Sequence, residues 1–71
     1  MADTVYSKTQ IVGTSEKGVD DAIRGAISRA SETLDEIGWF EVVEIRGHVS
    51  DGEVAHTQVT LAVGFALADT K

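Results

Sequence analysis

Seventy-one residues form one small domain over 1–71, with no cysteine and a formal net charge of −6. The lack of cysteine excludes disulfides and thiolate metal sites, and His48 and His56 lie too far apart for a local metal motif, so no metal is expected. The acidic balance excludes a nucleic-acid-binding stripe, because the six basic residues (Lys8, Lys17, Arg24, Arg29, Arg46 and Lys71) are scattered.

No apolar run approaches the roughly 20 residues of a membrane span. The start, Met1-Ala2-Asp3-Thr4, is polar and acidic, unlike a signal peptide. A cytoplasmic location is the expectation, and the absence of cysteine fits a reducing compartment. A chain of this size buries only about 60% of its unfolded surface. Without staples or metal, oligomerisation is the expected source of the missing stability.

Residues 4–12 alternate, with Val5, Ser7, Thr9 and Ile11 on one face and Tyr6, Lys8, Gln10 and Val12 on the other, which predicts a strand. Gly13-Thr14-Ser15 ends it, and Ser15 is a good helix N-cap. From Glu16 to Ile37 the apolar residues Val19, Ala22, Ile23, Ala26, Ile27, Ala30, Leu34 and Ile37 form one helical stripe. Gly38 suits the position just past the helix end. Such a helix would be about 33 Å long and would cross a whole small sheet.

A second strand begins at Trp39. Phe40 and Val42 share a parity, but the next core residue is Ile45, so a bulge is expected near Val43. It would place Phe40, Val42, Ile45 and Val49 on the core face. Trp39, Glu41, Glu44, Arg46 and His48 would then share the other. Ser50-Asp51-Gly52-Glu53 predicts a hairpin turn. The third strand sets Ala55, Thr57, Val59, Leu61, Val63, Phe65 and Leu67 toward the helix, and His56, Gln58, Thr60, Ala62, Gly64 and Ala66 away from it. The fold class is α+β with order β-α-β-β: one helix on a three-stranded antiparallel sheet whose long third strand is central. The second sheet face stays bare. Its small residues Ala62, Gly64 and Ala66 would admit another backbone.

No catalytic motif emerges. Gly13-Thr14-Ser15-Glu16-Lys17-Gly18 lacks the Gly-Lys-Ser/Thr ending of a phosphate loop. His56, beside the hairpin, reads as a solvated polar residue. Trp39 on the polar sheet face fits an interface anchor and also a stacking platform. Gln58 offers a donor and an acceptor to the edge of a heterocycle, and equally fits an outward-facing strand residue. Arg46 suits a phosphate, or an ion pair with Glu44 or Glu41.

At these residues the chain resembles the dodecins, small flavin-binding proteins. The resemblance rests on Ile11-Val12-Gly13-Thr14-Ser15, Trp39-Phe40-Glu41-Val42, Glu44-Ile45-Arg46-Gly47, Gln58-Val59 and Val63-Gly64-Phe65, in order over almost the full length. It implies a hollow homododecamer in which two flavins stack between Trp39 side chains of two subunits. It further implies that Gln58 bonds the pyrimidine edge of the flavin, Glu44 contacts the ribityl chain and Arg46 meets the FMN phosphate. Ala66 stands where Gly-Phe-Arg-Leu is frequent in bacterial members, so one cationic group is missing; His48 holds a variable place on the ligand-side strand, where phosphate binding or gating would suit it.

The function expected is binding, storage and sequestration of flavin, FMN or riboflavin, with quenching of its photochemistry, and no turnover. The rival readings are a structural shell anchored by Trp39 and a flavin-dependent enzyme. The second is opposed by a flavin face already covered by Trp39 and another flavin.

Overall fold

Strand β1 (Tyr6–Ser15), helix α1 (Val19–Ala30), strand β2 (Ile37–Ser50) and strand β3 (Glu53–Ala66) follow one another in the computed structural model, which describes residues 4–67. The expectation drawn from Met1, Ala2 and Asp3 lies outside the described residues, as does Lys71. The sheet order is β1-β3-β2, antiparallel throughout, with the third strand central as its length and alternation predict.

The hairpin between β2 and β3 closes over Asp51 and Gly52, with φ of 53° and 76°. Two successive positive φ values are what a tight type I′ connection needs, and Asp-Gly supplies them at little cost. The expected bulge is present: Val42 pairs with Leu61 and Glu44 with Thr60, leaving Val43 as the extra residue. Two further irregularities were not foreseen. Gly38 is extra between Ile37 and Trp39. On β3, Ala55 is extra, because Val49 pairs with Val54 but His48 pairs with His56.

The helix is shorter than its apolar stripe predicts. It spans 12 residues, about 18 Å rather than 33 Å, and turns occupy the segment after Ala30. Leu34 and Ile37 continue the helical spacing, but the chain reverses at Glu36, whose φ is 57°. Gly38 consequently belongs to β2, not to a helix end. The N-terminal cap also differs. Gly18 occupies that position without a side-chain cap, and Ser15 is the buried last residue of β1. Its Oγ accepts the Lys17 N–H at 2.8 Å and donates to Asp21 Oδ2 at 2.7 Å. Ser15 thus ties the strand end to the first helical turn from a position three residues earlier.

Helix α1 packs on β1 and β3 and barely reaches β2. Ala22, Val59 and Leu61 form the core, with Ile11, Ile23, Ala26 and Ile27 packed against it. Gly13 makes that approach possible, since a Cβ there would strike the Ala22 carbonyl oxygen and stand 2.8 Å from Ala26 Cβ. The parity expected for β2 holds: Phe40 pairs with Val63, Val42 with Leu61 and Ile45 with Val59. The short helix nevertheless leaves Phe40, Val42, Ile45 and Val49 between 43% and 65% exposed. The single chain is therefore bare on both faces of β2. Its radius of gyration, 14.9 Å, exceeds the roughly 11 Å of a compact domain this long. The long hairpin projects away from the helix-covered core.

Candidate functional site

The sheet face opposite the helix carries a series of cross-strand rows, beginning with the pair Tyr6 and Ala66. Lys8, Gly64 and Trp39 form the next; Gln10, Ala62 and Glu41 another; then Val12, Thr60 and Glu44; Thr14, Gln58 and Arg46; and finally His56 with His48. All five sequence-selected residues (Trp39, Glu44, Arg46, His48 and Gln58) lie on this face, as the bulged parity predicts. They are not all in one place.

At one end, the Trp39 indole lies flat on Gly64. Any Cβ on Gly64 would fall inside the ring, against Cε2, Cζ2 and Cδ2. Tyr6 meets the indole edge-on, with ring centroids 5.9 Å apart and planes at 67°. Trp39 remains 38% exposed, so one side is seated on the sheet and the rest faces outward. The chain's own indole occupies the space that a side chain on Gly64 would need. Beside it, Lys8 Nζ donates to Glu41 Oε1 at 2.9 Å, a strap running from β1 to β2 across the central strand. Both ends of that pair are over half exposed, so it contributes little to stability, about 0–1 kcal/mol.

At the other end, Thr14, Arg46, Gly47, His48, His56 and Gln58 line an open concavity of about 430 Å³. Gly47 is required by the close passage of β3, since its Cβ would stand 2.7 Å from the His56 carbonyl oxygen. The charge here is carried by Arg46 and, on protonation, by the two imidazoles. Arg46 makes no ion pair with Glu41 or Glu44. His56 is exposed, in keeping with its reading as a solvated residue, and stands opposite His48 with ring centroids 6.2 Å apart, lining the concavity. Thr14 was missed; only the strand register reveals its place beside Gln58.

Gln58 and Gly64 are six residues apart on β3, which separates the concavity from the Trp39 platform by about 20 Å within one chain. Trp39 and Gln58 of one chain are thus well separated along the sheet face. Among the described residues, no group of three or more His, Cys, Asp or Glu is arranged to hold a metal ion. Among the same residues no helix is long and apolar enough to cross a membrane.

The fold and the sequence both match those of one family. The family model described as Dodecin matches residues 5–68. Dodecin from Thermus thermophilus is 50% identical over 66 residues, covering 93% of this chain and 96% of that protein. The solved dodecin of Streptomyces davaonensis is 56% identical, with a TM-score of 0.88, over 96% of this chain and 100% of its own. That of Streptomyces coelicolor is 50% identical, with a TM-score of 0.89, over 99% and 100%. The chain belongs to the dodecin family.

Proposed function

We propose that this protein binds, stores and sequesters a flavin, FMN in the first instance, in a site assembled from several copies of the chain. Family membership supports flavin binding and storage in general. The observation that carries the reading here is the Trp39 indole seated on Gly64, a rigid aromatic platform with an open face. The donor set also fits a flavin. Trp39 offers the stacking surface, Gln58 an amide for the pyrimidine edge, and Arg46 a guanidinium for the phosphate. Glu44, between the two ends, faces the sugar-like ribityl chain, and His48 extends the phosphate end.

The separation along β3 supports a site shared between copies. Trp39 of one copy and Gln58 with Arg46 of another serve the same ligand, and two flavins stack between paired Trp39 side chains. The exposed apolar face of β2 and the extended shape of the single chain support a large closed assembly, which we take as the homododecamer.

Flavin supplies the chromophore when bound. With a flavin stacked on it, the electron-rich indole of Trp39 would quench the excited ring by electron transfer followed by return of the electron, which would limit light-driven formation of reactive oxygen species. A face covered by Trp39 and a second flavin leaves no room for a substrate, so the protein is not an enzyme. Its role is photoprotective storage in the cytoplasm.

Complementation tests the composite site. Trp39→Ala chains and Gln58→Ala chains, each weak alone, are unfolded, mixed and refolded together. Mixed assemblies should regain a fraction of tight FMN sites, in which an intact Trp39 meets an intact Gln58 of another copy. No recovery, with both variants fully assembled, would place the two groups in one chain and contradict the reading.

A further inference from the structure

The register of the hairpin creates a pair that neither strand shows alone. A two-residue turn with Ser50 opposite Glu53 would, by simple counting, set His48 opposite Ala55; the extra residue on β3 shifts it to His56. The two imidazoles face each other, with centroids 6.2 Å apart and planes at 53°. They line the same concavity as Arg46, Gln58 and Thr14. Beyond the pair, Glu16 approaches from the segment after β1, its Oε2 3.7 Å from His56 Nε2. Along β2, Glu44 shares the sheet face one row past Arg46. The nearest β1 residue, Thr14, is neutral.

The charges facing the pair are thus one permanent cation, Arg46, one exposed carboxylate, Glu16, and the more distant Glu44. Two imidazolium ions this close to each other and to a guanidinium repel, and Glu16 offsets only part of that. A divalent cation would meet the same guanidinium. A phosphomonoester dianion would reverse the balance, because its oxygens could accept charge-assisted hydrogen bonds from the imidazolium rings and from Arg46, which line the same concavity. Binding such an anion favours the protonated pair, and by reciprocity protonation favours the anion.

We propose that His48 and His56 form one proton-linked anion trap that selects the phosphorylated flavin, with His56 a specificity-determining residue. This rests on the flavin reading above and adds to it a second histidine, a pH dependence and an uptake of protons on binding.

The test measures FMN and riboflavin affinity of the intact oligomer at pH 6.5 and 8.5, with calorimetry in two buffers of different ionisation enthalpy. At the lower pH the FMN phosphate is already mostly a dianion, so its own titration does not produce the expected trend. FMN affinity should fall up to about fivefold as pH rises, the size of an exposed charge contact, and riboflavin affinity should stay flat. Binding of FMN at pH 6.5, but not of riboflavin, should take up protons. His56→Gln, and more fully His48→Gln with His56→Gln, should abolish both effects; a merely structural role would weaken the two flavins equally. A pH-independent FMN affinity without proton uptake would overturn the trap while leaving flavin binding intact. Failure of both flavins to bind would overturn the flavin reading instead.

Discussion

The Trp39 indole occupies the space where a side chain on Gly64 would begin, the two residues being paired directly across β2 and β3. The absence of a side chain on β3 is what lets a large ring on β2 lie flat, with Tyr6 closing one edge. Glycine at this position therefore sets the attitude of the platform.

Gly64→Ala should lift or tilt the ring. Overpacking of this kind costs about 1–3 kcal/mol, and flavin affinity should fall with it. In a Trp39→Ala background the same substitution should cost far less, since nothing remains for the methyl to strike. A double-mutant cycle by thermal unfolding and FMN titration checks this; additive effects would show that the ring and the glycine are uncoupled.

Arg46→Ala should weaken FMN more than riboflavin, narrowing the gap between them. The guanidinium makes a charge-assisted contact that only the phosphorylated ligand can return. Equal losses for both flavins, measured by fluorescence titration, would mean that Arg46 organises the pocket or an interface.

Gly13→Ala acts on the fold and not on the binding face. Its methyl would press on the Ala22 carbonyl and on Ala26, forcing the helix off β1. Chemical denaturation should report a loss of about 1–3 kcal/mol. Any assembly that survives should keep its ratio of FMN to riboflavin affinity.

Among the described residues only Val59, Leu61 and Val63 are large and fully buried in the single chain. Each contributes about 1.5–3 kcal/mol, too little to hold a domain whose β2 is bare. No stable folded monomer is expected at micromolar concentration. Light scattering should find a particle near twelve chains, whereas a folded 7.6 kDa species would contradict the composite site.

Much of this was legible in the sequence because alternation and turn chemistry are local. The misfit between Val42 and Ile45 announced the Val43 bulge, and Asp51-Gly52 announced the hairpin. With the bulge in place, Trp39, Glu44, Arg46 and His48 fell on the correct face together with Gln58. The helix end was not legible. Leu34 and Ile37 keep the helical period after the chain has turned away, and Glu36 adopts a left-handed conformation that its residue type does not advertise. The His48–His56 pair was hidden for a related reason: it depends on a one-residue slip at Ala55, where no sequence signal marks a bulge. The distance between Trp39 and Gln58 also escaped a reading by faces, because parity assigns a side but says nothing of position along it.

The most direct test of the central claim, a flavin stacked on Trp39, is a fluorescence titration of FMN with the wild-type oligomer and with Trp39→Ala. The wild type should quench FMN with a sharp, saturable endpoint at one flavin per chain, the ratio set by two flavins between two tryptophans. Trp39→Ala, still assembled, should bind roughly ten- to a hundredfold more weakly, the worth of one aromatic stack by analogy with base stacking. Unchanged affinity and quenching in an intact Trp39→Ala oligomer would contradict it.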